Sequence, residues 1–389
     1  MTTLLATIIL LGVLIFIHEL GHYLAARSIG VRVERFSVGY PPRLMTLTSI
    51  PNGWEFRFYF FHKNDEGKIQ WGPFFSKTIQ ISGRAGTGTE YCFAVIPFGG
   101  YVKVAGVIDE SMDTNIEYKP DELMSKSRWK QIWFMSAGVI MNTVLAFFIF
   151  TGLSNHTGKP IISKDPVISE LLPGFPAELA GLKEGDIIKE IDGEKISEWD
   201  ELTAVIQKRP NEKISLSFLR DGKSETLQIK TSAQLNPSTG DTMGAIGIYP
   251  QYEYIPVSLT ESLEMGANAT ARGFGMIILS LKMLTSGQAS IKELGGPIMI
   301  AQLAGETAKA GWVPFLSLMA LISCNLAFLN VLPIPGLDGG HIFITMIEGI
   351  IRRPLTIKMR MAIQQIGMVL LLMLMITVII NDVGRLLGN

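Results

Sequence analysis

The segment Ile15–Leu24 reads IFIHELGHYL, which sets two histidines and a glutamate into an otherwise apolar run. His18 and His22 are four positions apart, so a helix presents both imidazoles on one face, with Glu19 beside it. Two imidazoles at this spacing can bind one zinc ion, and the neighbouring carboxylate is then placed to take a proton from water. Ionisable groups at membrane depth cost roughly 2.5–3.5 kcal/mol each even on a lenient insertion scale, and they mark function. The chain has 5 histidines in all, so a chance gathering here is a poor account of them.

A catalytic zinc site takes three protein ligands and keeps an open position. The candidate third ligand is Asp338, in NVLPIPGLDGGH (Asn330–His341). Pro333, Pro335 and Gly336 break the helix just before it and let a carboxylate turn inward. His341 in the same segment is a rival ligand.

The elements that must position these groups are membrane spans. Mean hydropathy is +0.31 over 389 residues, and four stretches are apolar enough, at about 20 residues, to cross a bilayer. They are Leu4–Ala26, Ile132–Leu153, Pro314–Leu332 and Ile363–Ile380. The first lacks a basic start and a small-residue cleavage pattern, so it is expected to be retained and not removed as a signal peptide. Arg27, Arg32 and Arg35 follow span one, Lys126, Arg128 and Lys130 precede span two, and Arg352, Arg353, Lys358 and Arg360 lie between spans three and four. The positive-inside rule makes these ends cytoplasmic, with His18, His22 and Asp338 towards that side. Both termini and the segment between spans two and three then face outward. A net charge of −1 gives no reason to expect a nucleic acid partner. Cys92 and Cys324, far apart in apolar settings, exclude a disulfide scaffold and a cysteine zinc finger.

The expected organisation is a first transmembrane helix over 1–26, a cytoplasmic loop over 27–128 and a second helix over 129–154. An extracytoplasmic domain over 159–250 and a connector over 256–310 follow, then a third transmembrane helix with the aspartate motif over 311–345 and a fourth over 361–382. Within the loop, Gly53–Phe75 carries a hairpin signal around a polar turn at Asn64–Gly67. Thr89–Gly106 is a strand-like run broken at Pro97, Gly99 and Gly100. It is too apolar for a free loop, and a hairpin dipping into the membrane is allowed where protein or a water-filled cavity covers its backbone. Ser258–Leu284 reads as an amphipathic helix, expected as a connector on the outer membrane surface, with gating of the site as the alternative.

From Lys159 the pattern is strand, short helix, strand, strand, helix and two strands around Asp221-Gly222. FPAELAGLKEGDIIKEIDG (Phe175–Gly193) resembles the signature of protease-associated PDZ domains. HELGH in one span with NVLPIPGLDGG in another resembles the site-2 protease family of intramembrane zinc metalloproteases. GVRVERFSVGY, EYCFAVIPFGGYVKV and ALISCNLAFLNVLPIPGLDGGH extend the likeness over nearly the whole chain, towards its bacterial sigma-E-regulating branch. The resemblance implies an α-helical polytopic protein of the bacterial inner membrane, with four transmembrane helices, a re-entrant β-hairpin or sheet and an inserted PDZ (α+β) domain. It implies Zn2+ held by His18, His22 and Asp338, with Glu19 as catalytic base. Gly99, Gly100 and Tyr101 would pair with an unwound substrate, and Asn325, Asn330, Pro333 and Pro335 would shape the substrate-facing part of the third span. The implied partners are the lipid bilayer, single-span membrane proteins such as anti-sigma factors or leftover signal peptides, and an upstream site-1-type protease that cuts first. Two departures stand out: one PDZ domain where tandem pairs are common, and an insertion over Thr46–Gly86. In Ser136–Asn142, SAGVIMN, a proline usual after the glycine is also missing, while Asn142 is kept. The competing class is a PDZ-containing membrane binding or scaffold protein with a structural metal.

Overall fold

A computed structural model describes residues 2–63, 69–83, 85–107, 117–235, 242–290 and 294–387, with only the backbone of Lys63, Phe98 and Leu235. The chain opens with α1 (Thr2–Ser28) and four long strands, β1 (Val33–Ile50), β2 (Gly53–Lys63), β3 (Ile69–Gln80) and β4 (Glu90–Val104), before α2 (Arg128–Thr157). Next come β5 (Lys159–Ile162), β6 (Ile168–Leu171), α3 (Pro176–Leu179), β7 (Ile187–Ile191), β8 (Glu194–Lys195) and α4 (Trp199–Gln207). The strands β9 (Lys213–Arg220), β10 (Lys223–Lys230), β11 (Ser232–Leu235), β12 (Thr242–Ala245), β13 (Ile248–Pro250) and β14 (Tyr252–Ile255) follow. Five helices close the chain: α5 (Leu259–Thr285), α6 (Pro297–Ala310), α7 (Trp312–Val331), α8 (Asp338–Ile351) and α9 (Ile357–Leu386). They form two compact units, Met1–Leu153 with Thr260–Asn389, and Ser154–Leu259.

In the first unit, α1, α2, α7 and α9 are the described helices long and apolar enough to cross a membrane, and they match the four expected spans, the third ending one residue early at Val331. Small residues let α1 and α2 touch, because a Cβ at Gly21 would collide with the Ala137 carbonyl. The third expected span is two helices, not one through 345. Its chain leaves helical geometry at Leu332, because Pro333 and Pro335 have no N–H to continue the ladder, and α8 starts afresh at Asp338.

The connector over 256–310 is likewise two helices, and α5 does not lie flat across the helix ends. Its face of Ser262, Gly266, Thr270 and Gly273 is buried. Gly266 meets Thr151 of α2, Gly273 meets Cys324 of α7, and Phe274 and Ile277 pack with Ala146, Ala320 and Cys324. Close approach of small residues is what brings membrane helices together, and it overrides the modest amphipathicity. The helix α6 packs on α1, and Asp382 of α9 accepts hydrogen bonds from the free N–H groups of Gly296, Ile298 and Met299 at its start.

The sheet of this unit has the order β3-β2-β1-β4. The hairpin signal is realised as β2 paired with β3, from Gly53↔Gln80 to Lys63↔Ile69; its turn at Asn64–Gly67 lies outside the described residues. The insertion over 46–86 therefore widens the sheet by two strands and the end of β1. The expected break at Pro97–Gly100 is the point where β4 changes its pairing on β1. Ala94–Glu90 pairs with Arg43–Thr48 and Glu90–Phe93 also with Arg35–Val38, whereas Gly100–Val104 pairs with that same stretch of β1, Val38–Val33. Phe36 packs edge-on to Phe16 and Tyr23 of α1, and the Tyr23 hydroxyl hydrogen-bonds that of Tyr91, fixing the sheet beside the HELGH turn.

The second unit has a four-stranded sheet, β10-β9-β7-β8, over a core that includes Ile188, Leu202, Leu216 and Phe218. Its element order follows the PDZ resemblance, and its limits run wider than 159–250 because β14 pairs with β5. The Gly-Asp of the signature has a structural reason. Gly185 has φ 87°, and buried Asp186 accepts from the Lys183 N–H and the Arg220 guanidinium.

Candidate metal centre

Helix α1 brings His18 and His22 to one side, and the first residue of α8 brings Asp338 to meet them. Nε2 of His18 and Nε2 of His22 face each other at 3.2 Å, and each is 3.3 Å from Oδ2 of Asp338. Four ligands held at roughly 2.0–2.2 Å from a tetrahedral zinc ion stand about 3.3–3.6 Å from one another. The three atoms thus form the base of such a tetrahedron. Oδ2 is buried and accepts no hydrogen bond despite these distances, as fits an oxygen whose lone pair is meant for an ion. The donor set of two imidazoles and one carboxylate suits zinc and leaves the fourth position open.

Ring orientation is set from α2. Nδ1 of His22 donates to the Phe134 carbonyl at 3.0 Å, so Nε2 keeps its lone pair. Nδ1 of His18 lies 3.5 Å from the Asn142 amide, whose Oδ1 has no partner. Turning that amide so that Oδ1 faces the ring satisfies Oδ1 and frees Nε2 of His18 in one step. Gly138 sits against both rings: a Cβ there would be 2.5 Å from Cε1 of His18 and 2.6 Å from Nε2 of His22. Sequence reasoning gave Gly138 and Asn142 no role. The spacing of small and amide residues in SAGVIMN is the one signal that points to them.

At the start of α8, Gly339 and Gly340 are required by packing. A Cβ on either would strike backbone carbonyls, of Val331 and Leu332 for Gly339 and of Ile334 for Gly340. These glycines seat the aspartate directly under the end of α7. The rival ligand His341 lines the same cavity but lies outside the cluster of His18, His22 and Asp338, its Nε2 being 3.1 Å from the Gln364 amide of α9.

The three candidate ligands and Glu19 line a cavity of about 810 Å³. Gly100, Tyr101, Val102 and Lys103 of β4 form one wall, and Met361, Gln364, Met368 and Leu371 of α9 another. Asn330 lines it too. Gly99, Asn325, Pro333 and Pro335 do not. Gly99 instead has φ 142° with the Tyr40 ring where a side chain would be, and Pro335 packs on Gly367 of α9. Tyr101 stacks on Tyr40 and accepts from Arg35, which also pairs with Glu90 at 2.5 Å.

The model of Peptidase family M50 matches residues 6–67 and 72–374. The chain belongs to peptidase family M50. A Fusobacterium nucleatum protein named as a zinc metalloprotease is 31% identical over 392 residues, spanning 99% of each chain. The zinc metalloprotease RasP of Oceanobacillus iheyensis is 29% identical over 431 residues, 99% of this chain and 100% of that one. A solved PDZ domain of a Listeria monocytogenes SdrC-like protein covers 23% of this chain and 90% of its own, at 22% identity and TM-score 0.20. As an M50 member the chain is a transmembrane metalloprotease of the zinc-dependent kind.

Proposed function

We propose that this metalloprotease hydrolyses a peptide bond within or near the transmembrane segment of a single-span protein of the bacterial inner membrane. The observation that carries this is one cavity lined by the three ligands, by Glu19 and by the end strand of a sheet. A peptide bond in a membrane helix is already hydrogen-bonded and shielded from water, so the substrate must first be drawn out of its helix. Strand β4 ends its sheet, and Gly100–Lys103 accept an extended segment by strand addition, supplying backbone partners for the groups set free. Asn330 bonds any freed group that β4 does not reach.

Zinc, when bound by His18, His22 and Asp338, supplies Lewis acidity to the scissile carbonyl and to the attacking water. Glu19 takes the water proton as oxygen adds to the carbonyl carbon, then delivers it to the amine as the C–N bond breaks. Phe134 and Asn142 hold the imidazoles in the tautomer the metal needs. Substrates are anti-sigma-type single-span proteins already trimmed outside the membrane by a first protease, and the PDZ-like unit lies on that outer side as a size filter.

The test uses purified full-length protein and a tagged single-span substrate lacking its outer domain. Glu19→Gln should keep its zinc and lose activity by at least about a hundredfold, the usual contribution of a positioned general base, whereas His22→Ala should lose both. Zinc lost from Glu19→Gln would refute the division of roles. Wild type that binds zinc and cleaves nothing would favour a binding protein.

A further inference from the structure

Glu348 lies ten residues beyond Asp338 on α8, about 15 Å further along the helix, and is 1% exposed. Its Oε2 accepts from Nη1 of Arg128, the first residue of α2, at 2.5 Å. Its Oε1 accepts from Nε of Arg360 on α9 at 3.0 Å, from Nη2 of the same guanidinium, and from the N–H of Leu355 between α8 and α9 at 2.8 Å. One carboxylate therefore joins three helices near their ends, away from the walls of the metal cavity. Stability alone does not account for it. Apolar residues of like volume in place of a buried ion cluster are often neutral or stabilising, and the best-attested use of such a cluster is to fix a register.

The register at stake is that of α8 along α2. The two helices run in opposite directions: Oγ1 of Thr345 lies 3.8 Å from Sδ of Met135, and a Cβ on Gly349 would stand 3.6 Å from Cδ of Arg128. Ile342 packs into the apolar cluster that holds Phe134 and Met135. Apolar burial has no direction of its own, so the bond from Arg128 to Glu348 sets how far α8 lies along this seam. That setting reaches the metal centre. His22 takes its ring orientation from the Phe134 carbonyl of α2, at 3.0 Å, and Asp338 is the first residue of α8. Sliding α8 along α2 would change the 3.3 Å between Nε2 of His22 and Oδ2 of Asp338, whereas ligand distances at a zinc site hold to about 0.2 Å. Gly339 and Gly340 seat one end of α8 under α7, and Glu348 holds the other.

We infer that Glu348 is a positioning residue of the metal centre: with Arg128 and Arg360 it holds α8 at the axial position along α2 that brings Asp338 to His18 and His22. The inference rests on the reading of those three residues as the zinc ligands.

The test uses the full chain in detergent and a triple variant, Arg128→Met with Glu348→Leu and Arg360→Met, which removes the three charges together and leaves no buried ion unpaired. Three quantities are measured: thermal unfolding of the zinc-free chain, zinc affinity by competition with a chelator, and the visible absorption of the cobalt-loaded site, which reports coordination geometry. The triple variant should unfold no earlier than wild type, yet hold zinc roughly ten- to a hundredfold more weakly, as when a group that orients a metal ligand is lost, and with an altered cobalt spectrum. Glu348→Asp keeps the charges and shortens the arm by one methylene; it should hold zinc about tenfold more weakly, and it decides the question if the triple variant does not fold. Wild-type zinc affinity and cobalt spectrum in either folded variant, whatever its unfolding temperature, would make the cluster a stabilising one only and overturn the inference. Zinc missing from wild type would instead overturn the ligand reading, and this inference with it.

Discussion

His18 and His22 each turn one ring nitrogen towards α2, which is why the metal side of both rings stays available. That His18 and His22 lie together is legible in the sequence, because a four-residue spacing on a helix fixes a shared face whatever surrounds it. Gly138 is not, since a glycine's role depends on what its missing Cβ would meet on another helix. That contact makes a prediction. Gly138→Ala adds a methyl group where the two imidazoles lie, so zinc content should fall well below one per chain by elemental analysis. Alanine in place of glycine favours a helix by roughly 0.5–1 kcal/mol, so α2 itself should not weaken, and circular dichroism should show unchanged helicity.

Among the elements, the spans were readable from length and apolarity, and so was the interruption before Asp338, because proline acts locally. The second half of that interruption depends on packing. Gly340→Val would press a branched side chain against the Ile334 carbonyl and lift the start of α8 from the end of α7. All four chemical residues remain, yet zinc binding and cleavage should both fail, with about 1–3 kcal/mol lost from stability in a denaturation series. The helix α5 shows the limit of single-sequence reasoning. Its stripe of Ser262, Gly266, Thr270 and Gly273 resembles a weakly polar surface until Thr151 and Cys324 are seen against it. Arg128 and Arg360 likewise read as flanking charges, because their shared partner Glu348 is 220 positions from the first of them.

On the scale of the molecule, the PDZ-like unit has a core of its own and should fold alone. Expressed as residues 154–259, it should melt in one cooperative transition, and Leu216→Ala within it should cost about 2–5 kcal/mol by chemical denaturation. In the full chain, removing residues 165–235 should allow an untrimmed substrate to be cleaved; continued dependence on prior trimming would rule out the filter. The separation of the ligands along the chain has a further meaning in time. The two histidines are made near the start of synthesis and Asp338 near its end, so at ordinary elongation rates they precede it by roughly half a minute. With the proposed ligand set, a ribosome-bound chain carries an incomplete metal site while its own earlier spans enter the bilayer, and such a protease is born inactive towards itself and its neighbours.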